Sequence, residues 1–253
     1  MKRASGCALL LSALACSGCD EADEPELFVY AAASLADAME ELADRYHERT
    51  GTEVLLNLGS SGKLAIQIEM AGKADVFLSA GDEEMDRLEE LGLIEPGTRG
   101  TLLSNQLVVI VPAGGRQISG HAELTGDWLK RLAIAEPESV PAGRYAKAWL
   151  QQAGIWDAVA DRVMPGVHVR SALAAVEHGG AEAGIVYRTD AAASDGIEVV
   201  YVVPLAEGPR IAYPLAALAD RPRLAESLRF IEFLGEPESR AVFERYGFLV
   251  HDS

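Results

Sequence analysis

The chain has few basic and aromatic residues, and beyond residue 19 it has no cysteine. Its 22 Lys and Arg stand against 39 Asp and Glu, which gives a formal net charge of −17, and only 6% of the residues are aromatic. Nucleic-acid binding depends on Lys and Arg that neutralise phosphates and on aromatic side chains that stack on bases. The composition therefore excludes a nucleic-acid partner, and at first sight it also argues against a small anion as ligand.

The cysteines and histidines offer no metal site. All three cysteines, Cys7, Cys16 and Cys19, lie near the N-terminus, so the body of the chain has neither a disulfide framework nor a thiolate metal site. The five histidines are scattered, and no two of them are three or four residues apart. The sequence therefore predicts no metal ligands and no cofactor.

Long hydrophobic runs are also missing. The apolar stretch at residues 4–15 is shorter than the roughly 18–20 residues of a membrane span. It follows Lys2 and Arg3 and precedes small residues, which is the pattern of an export signal, predicted here at residues 1–15. Residues 12–16 resemble a bacterial lipobox, so Cys16 is the predicted lipidation site, with Cys19 as the alternative. Ordinary signal cleavage is also compatible with this segment.

After an acidic tether at residues 16–26, predicted strands alternate with predicted helices. The helix at residues 35–50 places Leu35, Met39 and Leu42 on one face, and Gly51 is positioned to end it. Strands separated by helices indicate an α/β protein with mostly parallel sheets, and two such series indicate two lobes with a cleft between them. Strands are predicted at residues 27–33, 53–58, 74–79, 107–112, 132–135, 167–169, 183–187, 198–203 and 212–217.

Four of the predicted strand ends share one local chemistry, because each leads directly into a helix through Ser, Gly or Pro. These turns are Ser34 after the first strand and residues 59–62, 140–143 and 168–171. The first N–H groups of a helix have no partner within the helix, and together with the helix dipole they favour an anion. Two turns from each lobe at one cleft therefore predict an oxyanion site built from uncharged donors.

Two other site types fit the sequence less well. Only Ser60 and Ser61 separate Gly59 from Gly62, so the Gly-rich turn lacks the spacing of a phosphate-binding P-loop. No Gly-x-Ser-x-Gly motif surrounds Ser34 or Ser61. A phosphate-ester hydrolase that uses one of these serines as its nucleophile stays open as an alternative, although no neighbouring base is evident.

Six segments, in order along the chain, are similar to the bacterial molybdate-binding proteins of ABC transporters. These segments are Ala-Ala-Ala-Ser-Leu at 31–35, Gly-Ser-Ser-Gly at 59–62, 74–80, Val-Pro-Ala-Gly-Arg-Tyr-Ala-Lys at 140–147, Gly-Ile-Val-Tyr at 184–187 and Arg-Tyr-Gly-Phe at 245–248. The resemblance implies a type II solute-binding protein with two lobes and a ligand cleft between them. The expected division is lobe 1 at residues 27–104 plus 214–253 and lobe 2 at residues 105–213.

The resemblance also implies a ligand and a site. The protein is expected to bind molybdate, and tungstate as well, outside the cytoplasm and to deliver it to an ABC permease. It is expected to be a monomer and not an enzyme, and to touch the membrane only through its lipid anchor. Sulfate, phosphate or a ferric complex on the same fold is the nearer alternative. For the ligand serine after the second strand, Ser60 is the alternative to Ser61, one residue away. His168 directly precedes the ligand residue Val169. The implied ligand residues are Ser34, Ser61, Ala142, Val169 and Tyr187.

Overall fold

The computed structural model describes residues 26–250 of the chain. The predicted export signal at residues 1–15, the lipidation candidates Cys16 and Cys19, and the tether up to residue 25 lie outside the described residues. Within residues 26–250, no helix has both the length and the apolar character needed to cross a bilayer.

The described chain alternates strands and helices along most of its length. The strands are β1 (Glu26–Ala32), β2 (Glu53–Gly59), β3 (Val76–Leu78), β4 (Gly100–Ser104), β5 (Leu107–Pro112), β6 (Leu132–Ala135), β7 (Val163–Gly166), β8 (Ala183–Tyr187), β9 (Ile197–Val202), β10 (Ala212–Ala217) and β11 (Leu249–Val250). The helices are α1 (Ala36–Thr50), α2 (Ser61–Ala71), α3 (Asp82–Glu90), α4 (Pro141–Gln152), α5 (Trp156–Val159), α6 (Val169–Glu177), α7 (Arg188–Ala192), α8 (Leu224–Gly235) and α9 (Pro237–Arg245).

The strands form two sheets, one in each lobe. The six-stranded sheet has the order β11-β4-β10-β3-β1-β2, and the five-stranded sheet has the order β7-β6-β8-β5-β9. The prediction of mostly parallel sheets is wrong, because β10 runs antiparallel to β3 and β4, and β5 runs antiparallel to β8 and β9. The reason is that β5 and β10 each follow a crossing between the lobes, so they start at the cleft and run away from it. Strands such as β8 end at the cleft and therefore run in the opposite direction.

The chain crosses between the lobes twice, at residues 105–106 and at residues 203–211. The two crossings are hydrogen-bonded to each other: Gln106 Nε2 donates to the Val203 carbonyl at 2.8 Å, and Val203 N–H donates to the Leu107 carbonyl at 3.0 Å. Two short connections joined side by side make a hinge that keeps the lobes adjacent.

Helix α1 shows how the sequence pattern becomes packing. Its buried residues include Met39, Leu42 and Tyr46, spaced three and four residues apart along one face. Burying a side chain of this size stabilises the fold by roughly 1.5–3 kcal/mol. The helix ends at Gly51, whose φ of 73° lies in the left-handed region that glycine adopts without strain.

The strand predicted at residues 167–169 is wrong. The strand at this place is β7, Val163–Gly166, and Val169 is already the first residue of α6. His168 caps the helix instead: its Nδ1 accepts a hydrogen bond from Ser171 N–H at 3.1 Å, while its own N–H donates to Ser171 Oγ at 3.2 Å. This reciprocal capping outweighs the apolar character of the two flanking valines.

Candidate functional site

A cavity between the lobes brings together all five residues that the resemblance implied. It encloses about 220 Å³ of space free of protein atoms, including the part that opens to solvent. Its walls come from the turns after β1 and β2 in one lobe and from the starts of α4 and α6 and the end of β8 in the other. The lining residues are Ala32, Ala33, Ser34, Gly59, Ser60, Ser61, Ala80, Val140, Pro141, Ala142, His168, Val169 and Tyr187.

The two serine hydroxyls of the first lobe are each held from behind. Ser34 lies in a short 3₁₀ turn directly after β1, and its Oγ is 3.0 Å from Tyr213 Oη. Ser61 is the first residue of α2, and its Oγ accepts the backbone N–H of Ala80 at 2.9 Å. Because the Ala80 N–H can only donate, the Ser61 hydroxyl hydrogen is left to point elsewhere, and the cavity adjoins it.

Ser60 occupies the N-cap position of α2 but makes no capping hydrogen bond with its side chain. It is buried and lines the same cavity as Ser61. The structure therefore brings both serines to the site, and the side-chain contact to Ala80 distinguishes Ser61 from its neighbour.

The second lobe offers backbone donors at two helix starts. Pro141 is the first residue of α4 and has no N–H, so Ala142 carries the first backbone donor of that helix. Val169 opens α6, with His168 as its cap. N–H groups at these positions have no partner within the helix, and both residues line the cavity.

Tyr187 closes the cavity at the end of β8. Its side chain is fully buried, and within residues 26–250 its Oη has no hydrogen-bond partner. A buried hydroxyl without a partner costs free energy, so its presence in a cavity wall points to a ligand. Burial also raises the pKa of Tyr187 well above 10, which keeps the hydroxyl protonated and able to donate.

The cavity lining is electrically neutral. Of the lining residues that the structure describes, His168 and Tyr187 are the titratable ones, and the pKa of His168 is lowered from 6.5 by burial and by the nearby positive charges of Lys63 and Arg170. At neutral pH both side chains are therefore uncharged. Across residues 26–250 no group of three or more His, Cys, Asp or Glu side chains is arranged to hold a metal ion.

Ion pairs join the lobes beside the cavity. Arg170 Nη2 of α6 lies 2.5 Å from Asp37 Oδ2 of α1, across the cleft. Arg170 Nε also lies 2.7 Å from Asp190 Oδ1 of α7, within its own lobe. Burial raises the pKa of Asp190 to about 7, against the opposing effect of Arg170. Arg144 of α4 likewise contacts α3 of the first lobe, at 2.7 Å from Glu84.

Backbone approach is also close across the cleft. A Cβ placed on Gly62 of α2 would lie 2.5 Å from the carbonyl oxygen of Ser139, which precedes α4 in the other lobe. Only glycine at this position allows the lobes to meet at this distance. Together with the ion pairs, this contact defines a closed arrangement of the two lobes.

The site includes residues that the sequence did not indicate. Tyr213 on β10 and Asn105 in the first crossing are buried behind Ser34, and Ala80 supports Ser61. Tyr213 lies in a strand that reads as wholly apolar, so no local signal marks its hydroxyl. Asn105 and Gln106 are two consecutive polar residues directly before the apolar strand β5, which is the signal that could have drawn attention to Asn105.

Comparison with known proteins places the chain in a family. A family profile described as bacterial extracellular solute-binding protein matches residues 27–249. The chain is 39% identical over 234 residues to the molybdate-binding protein ModA of Escherichia coli (strain K12), covering 90% of this chain and 91% of that protein. It is 35% identical over 247 residues to the ModA of Haemophilus influenzae (strain ATCC 51907 / DSM 11121 / KW20 / Rd), covering 95% of each.

The fold is shared as well. The solved structure of the Azotobacter vinelandii periplasmic molybdate-binding protein superimposes with a TM-score of 0.80 at 23% identity, covering 89% of this chain and 100% of that one. This likeness confirms the predicted two-lobed α/β fold. The chain belongs to the bacterial extracellular solute-binding protein family.

Proposed function

We propose that this protein binds molybdate outside the cytoplasm and delivers it to the membrane permease of an ABC transporter for import. The observation that carries the proposal is the fully buried hydroxyl of Tyr187, which has no partner among residues 26–250 and faces a cavity lined by neutral donors. The relatives named molybdate-binding proteins support molybdate as the ligand. Tungstate is expected to bind too, because it is a tetrahedral dianion of the same charge.

Five residues supply the proposed ligand contacts. Ser34 and Ser61 each offer a hydroxyl and a backbone N–H, Tyr187 offers its hydroxyl, and Ala142 and Val169 offer their N–H groups. A hydrogen bond to a charged acceptor contributes roughly 1.5–3 kcal/mol net, so about seven of them supply roughly 10–21 kcal/mol, against the ~8–12 kcal/mol of a micromolar to nanomolar complex. The excess offsets the costs of closing the cleft and of removing water from the anion.

The mechanism is capture by closure. The anion first meets the donors of one lobe, and rotation about the hinge brings the donors of the other lobe onto it. The ion pairs of Arg170 with Asp37 and of Arg144 with Glu84 form as the lobes meet. Because the donors are uncharged, discrimination between anions of equal charge depends on cavity size and donor spacing.

No covalent step belongs to this mechanism. Among residues 26–250, the hydrogen-bond contacts of the two serine hydroxyls are with Tyr213 and with the N–H of Ala80, neither of which is a general base. His168, the histidine of the cavity lining, uses its Nδ1 to cap α6. A nucleophilic serine needs a base within hydrogen-bond reach. The arrangement therefore supports a binding protein over the alternative of a phosphate-ester hydrolase.

The proposal extends to location and organisation. Residues 1–15 would direct export, Cys16, or alternatively Cys19, would carry the lipid anchor, and the acidic residues up to 26 would act as the tether. The two lobes that close on the anion would follow the predicted division, residues 27–104 plus 214–253 and residues 105–213, with the second boundary moved to 211/212 because β10 begins at Ala212 and pairs with β3 and β4. The protein would act as a monomer with the permease as its partner.

A ligand panel tests the proposed function. Thermal unfolding of the purified protein is followed with molybdate, tungstate, sulfate, phosphate and ferric citrate, each added in excess. A ligand present at about 100 times its Kd stabilises the folded state by about 2.7 kcal/mol, so molybdate and tungstate should raise the Tm by several degrees. Stabilisation by sulfate or phosphate without molybdate would refute the proposal.

A matched pair of serine variants ties the effect to the cavity. Ser34→Ala removes a hydroxyl at the cavity wall and should reduce the molybdate-induced rise in Tm. Ser227→Ala removes an equally buried hydroxyl in α8, which bonds to the Arg223 carbonyl, and should leave that rise unchanged. An equal molybdate response in both variants would show that Ser34 is not a ligand residue.

A further inference from the structure

Four buried polar side chains, beginning with Ser34, contact one another in a chain that runs through the hinge. Ser34 Oγ lies 3.0 Å from Tyr213 Oη, and Asn105 Nδ2 donates to Tyr213 Oη at 3.1 Å and to Thr189 Oγ1 at 2.9 Å. All four residues are at most 4% exposed. They belong to four different parts of the fold: the turn after β1, strand β10, the first crossing and α7.

The donor direction at each step follows from the bonding capacity of the groups. Asn105 Oδ1 accepts the N–H of Gln106 at 2.9 Å, which orients the amide so that its two Nδ2 hydrogens point at Thr189 and Tyr213. The Tyr213 hydroxyl therefore accepts from Asn105. Within the described chain, the remaining group in contact with the Tyr213 hydroxyl is Ser34 Oγ, so Ser34 is the acceptor for the phenolic hydrogen.

This direction determines what Ser34 presents to the cavity. An oxygen that accepts the Tyr213 hydrogen keeps its own hydrogen free for a group on its other side. That side is the cavity wall, where an oxyanion can only accept. If Ser34 instead donated to Tyr213, it would turn a lone pair toward the anion, and the contact would be repulsive.

We propose that Tyr213, held by Asn105, is a positioning residue that makes Ser34 a hydrogen-bond donor toward the bound anion. This chain of hydrogen bonds, here called the relay, ends at Thr189 in the other lobe, two residues after Tyr187. The orientation of the Ser34 hydroxyl is therefore linked to the position of the lobe that carries Tyr187. Neither Tyr213 nor Asn105 lines the cavity, and both act through Ser34. This inference rests on the proposed molybdate-binding function.

A double-mutant cycle tests the relay, with molybdate affinity measured by titration calorimetry. Tyr213→Phe removes one hydroxyl from a buried ring and should weaken molybdate binding by a factor within the roughly 2- to 150-fold range expected for coupled neighbours. In the Ser34→Ala background the same substitution should change Kd by less than about twofold, because the group through which it acts is gone. A structural defect would instead weaken binding by the same factor in both backgrounds.

A second variant tests the direction of the relay without a change in side-chain size. Asn105→Asp replaces the donating amide by an acceptor, so Tyr213 turns its hydrogen toward the new carboxylate and Ser34 becomes a donor to Tyr213. Molybdate affinity should fall by more than in Tyr213→Phe. The new negative charge alone would weaken molybdate binding by the same factor with and without the Ser34 hydroxyl. Any part of the affinity loss that is seen with Ser34 but not in the Ser34→Ala background therefore measures the reversed orientation of the Ser34 hydroxyl.

Tyr46→Phe is the matched control. Tyr46 is a buried tyrosine of the same lobe whose hydroxyl donates to Glu226, away from the cavity. This variant should keep the molybdate Kd of the unaltered protein. If the unaltered protein binds molybdate and Tyr213→Phe binds it equally well, or if the effects of Tyr213→Phe and Ser34→Ala multiply, the relay is overturned. Failure of the unaltered protein to bind molybdate would refute the proposed function itself.

Discussion

Removing the hydroxyl of Tyr187 should separate ligand binding from stability. In Tyr187→Phe the ring keeps its place at the end of β8, 6.0 Å from the ring of Tyr213, and one oxygen atom is lost. That oxygen has no hydrogen-bond partner within residues 26–250, so the folded protein loses no internal bond. The anion, in contrast, loses one of its donors.

The size of each effect follows from the same observation. Loss of a hydrogen bond to a charged acceptor costs roughly 1.5–3 kcal/mol, which corresponds to a molybdate Kd about 10- to 150-fold higher. Without ligand, the free energy of unfolding should stay the same or rise by up to about 1 kcal/mol, because an unpartnered buried hydroxyl is removed. Most core substitutions lower stability, so this combination is unusual.

Two measurements on one preparation check the prediction. Titration calorimetry gives the molybdate Kd, and urea unfolding without molybdate gives the free energy of unfolding. Tyr201→Phe is the control, since Tyr201 stacks on Trp149 in the same lobe and does not line the cavity. A Kd within about threefold of the unaltered protein would refute the role of Tyr187. A loss of more than about 1 kcal/mol of unliganded stability would show that the hydroxyl has a partner in the protein.

Two further predictions concern closure and pH. Gly62→Ala should stabilise the unliganded protein by up to about 1 kcal/mol, because alanine favours a helix, yet weaken molybdate binding at least about tenfold, because the new Cβ meets the Ser139 carbonyl. Gly235→Ala, a helical glycine with open space around it, is the control by calorimetry, and equal affinities in the two variants would contradict the closure argument. Because the pKa of His168 is lowered from 6.5, the unfolded chain takes up this proton first as the pH falls, so the contribution of His168 to stability declines below about pH 6.5. Asp190, whose pKa burial raises to about 7, contributes in the opposite direction over the same range. His168→Asn keeps a capping side chain and should flatten this decline in urea unfolding between pH 7.5 and 5, and an unchanged slope would exclude His168 as its source.

The parts of the fold that could be predicted are those determined by neighbouring residues. Strands β5, β6, β8 and β10 have the predicted boundaries, because each is a short run of mostly apolar residues. The strand predicted at 167–169 failed because His168 and Ser171 cap a helix there. The sheet directions failed for another reason: they depend on where the chain crosses the hinge, which no local pattern records.

The same distinction applies to the site. Ser34, Ser61, Ala142 and Val169 sit at strand-to-helix turns, whose donor chemistry is visible in a few consecutive residues, and all four line one cavity. Their role as ligand residues was inferred from the similarity to molybdate-binding proteins, and it stays a prediction. Tyr213 contacts Ser34 across 179 positions of sequence, and the orientation of its hydroxyl depends on Asn105 in the crossing between the lobes. Such a relay exists only once the fold is formed.

The structure also explains how an acidic protein can hold a dianion. Arginines lie beside the acids that join the lobes: Arg170 contacts both Asp37 and Asp190, and Arg144 contacts both Glu83 and Glu84. Each arginine offsets one of its two carboxylate charges, and the pKa of Asp190, raised to about 7, reduces the charge of that acid near neutral pH. Acids on outer surfaces are screened over roughly 8–10 Å at ordinary ionic strength. The cavity itself contributes oriented dipoles and no net charge. The net charge of −17 therefore bears on partners that meet the whole surface, such as nucleic acid, whereas an anion in the cleft would meet the serine, tyrosine and backbone donors proposed at its walls.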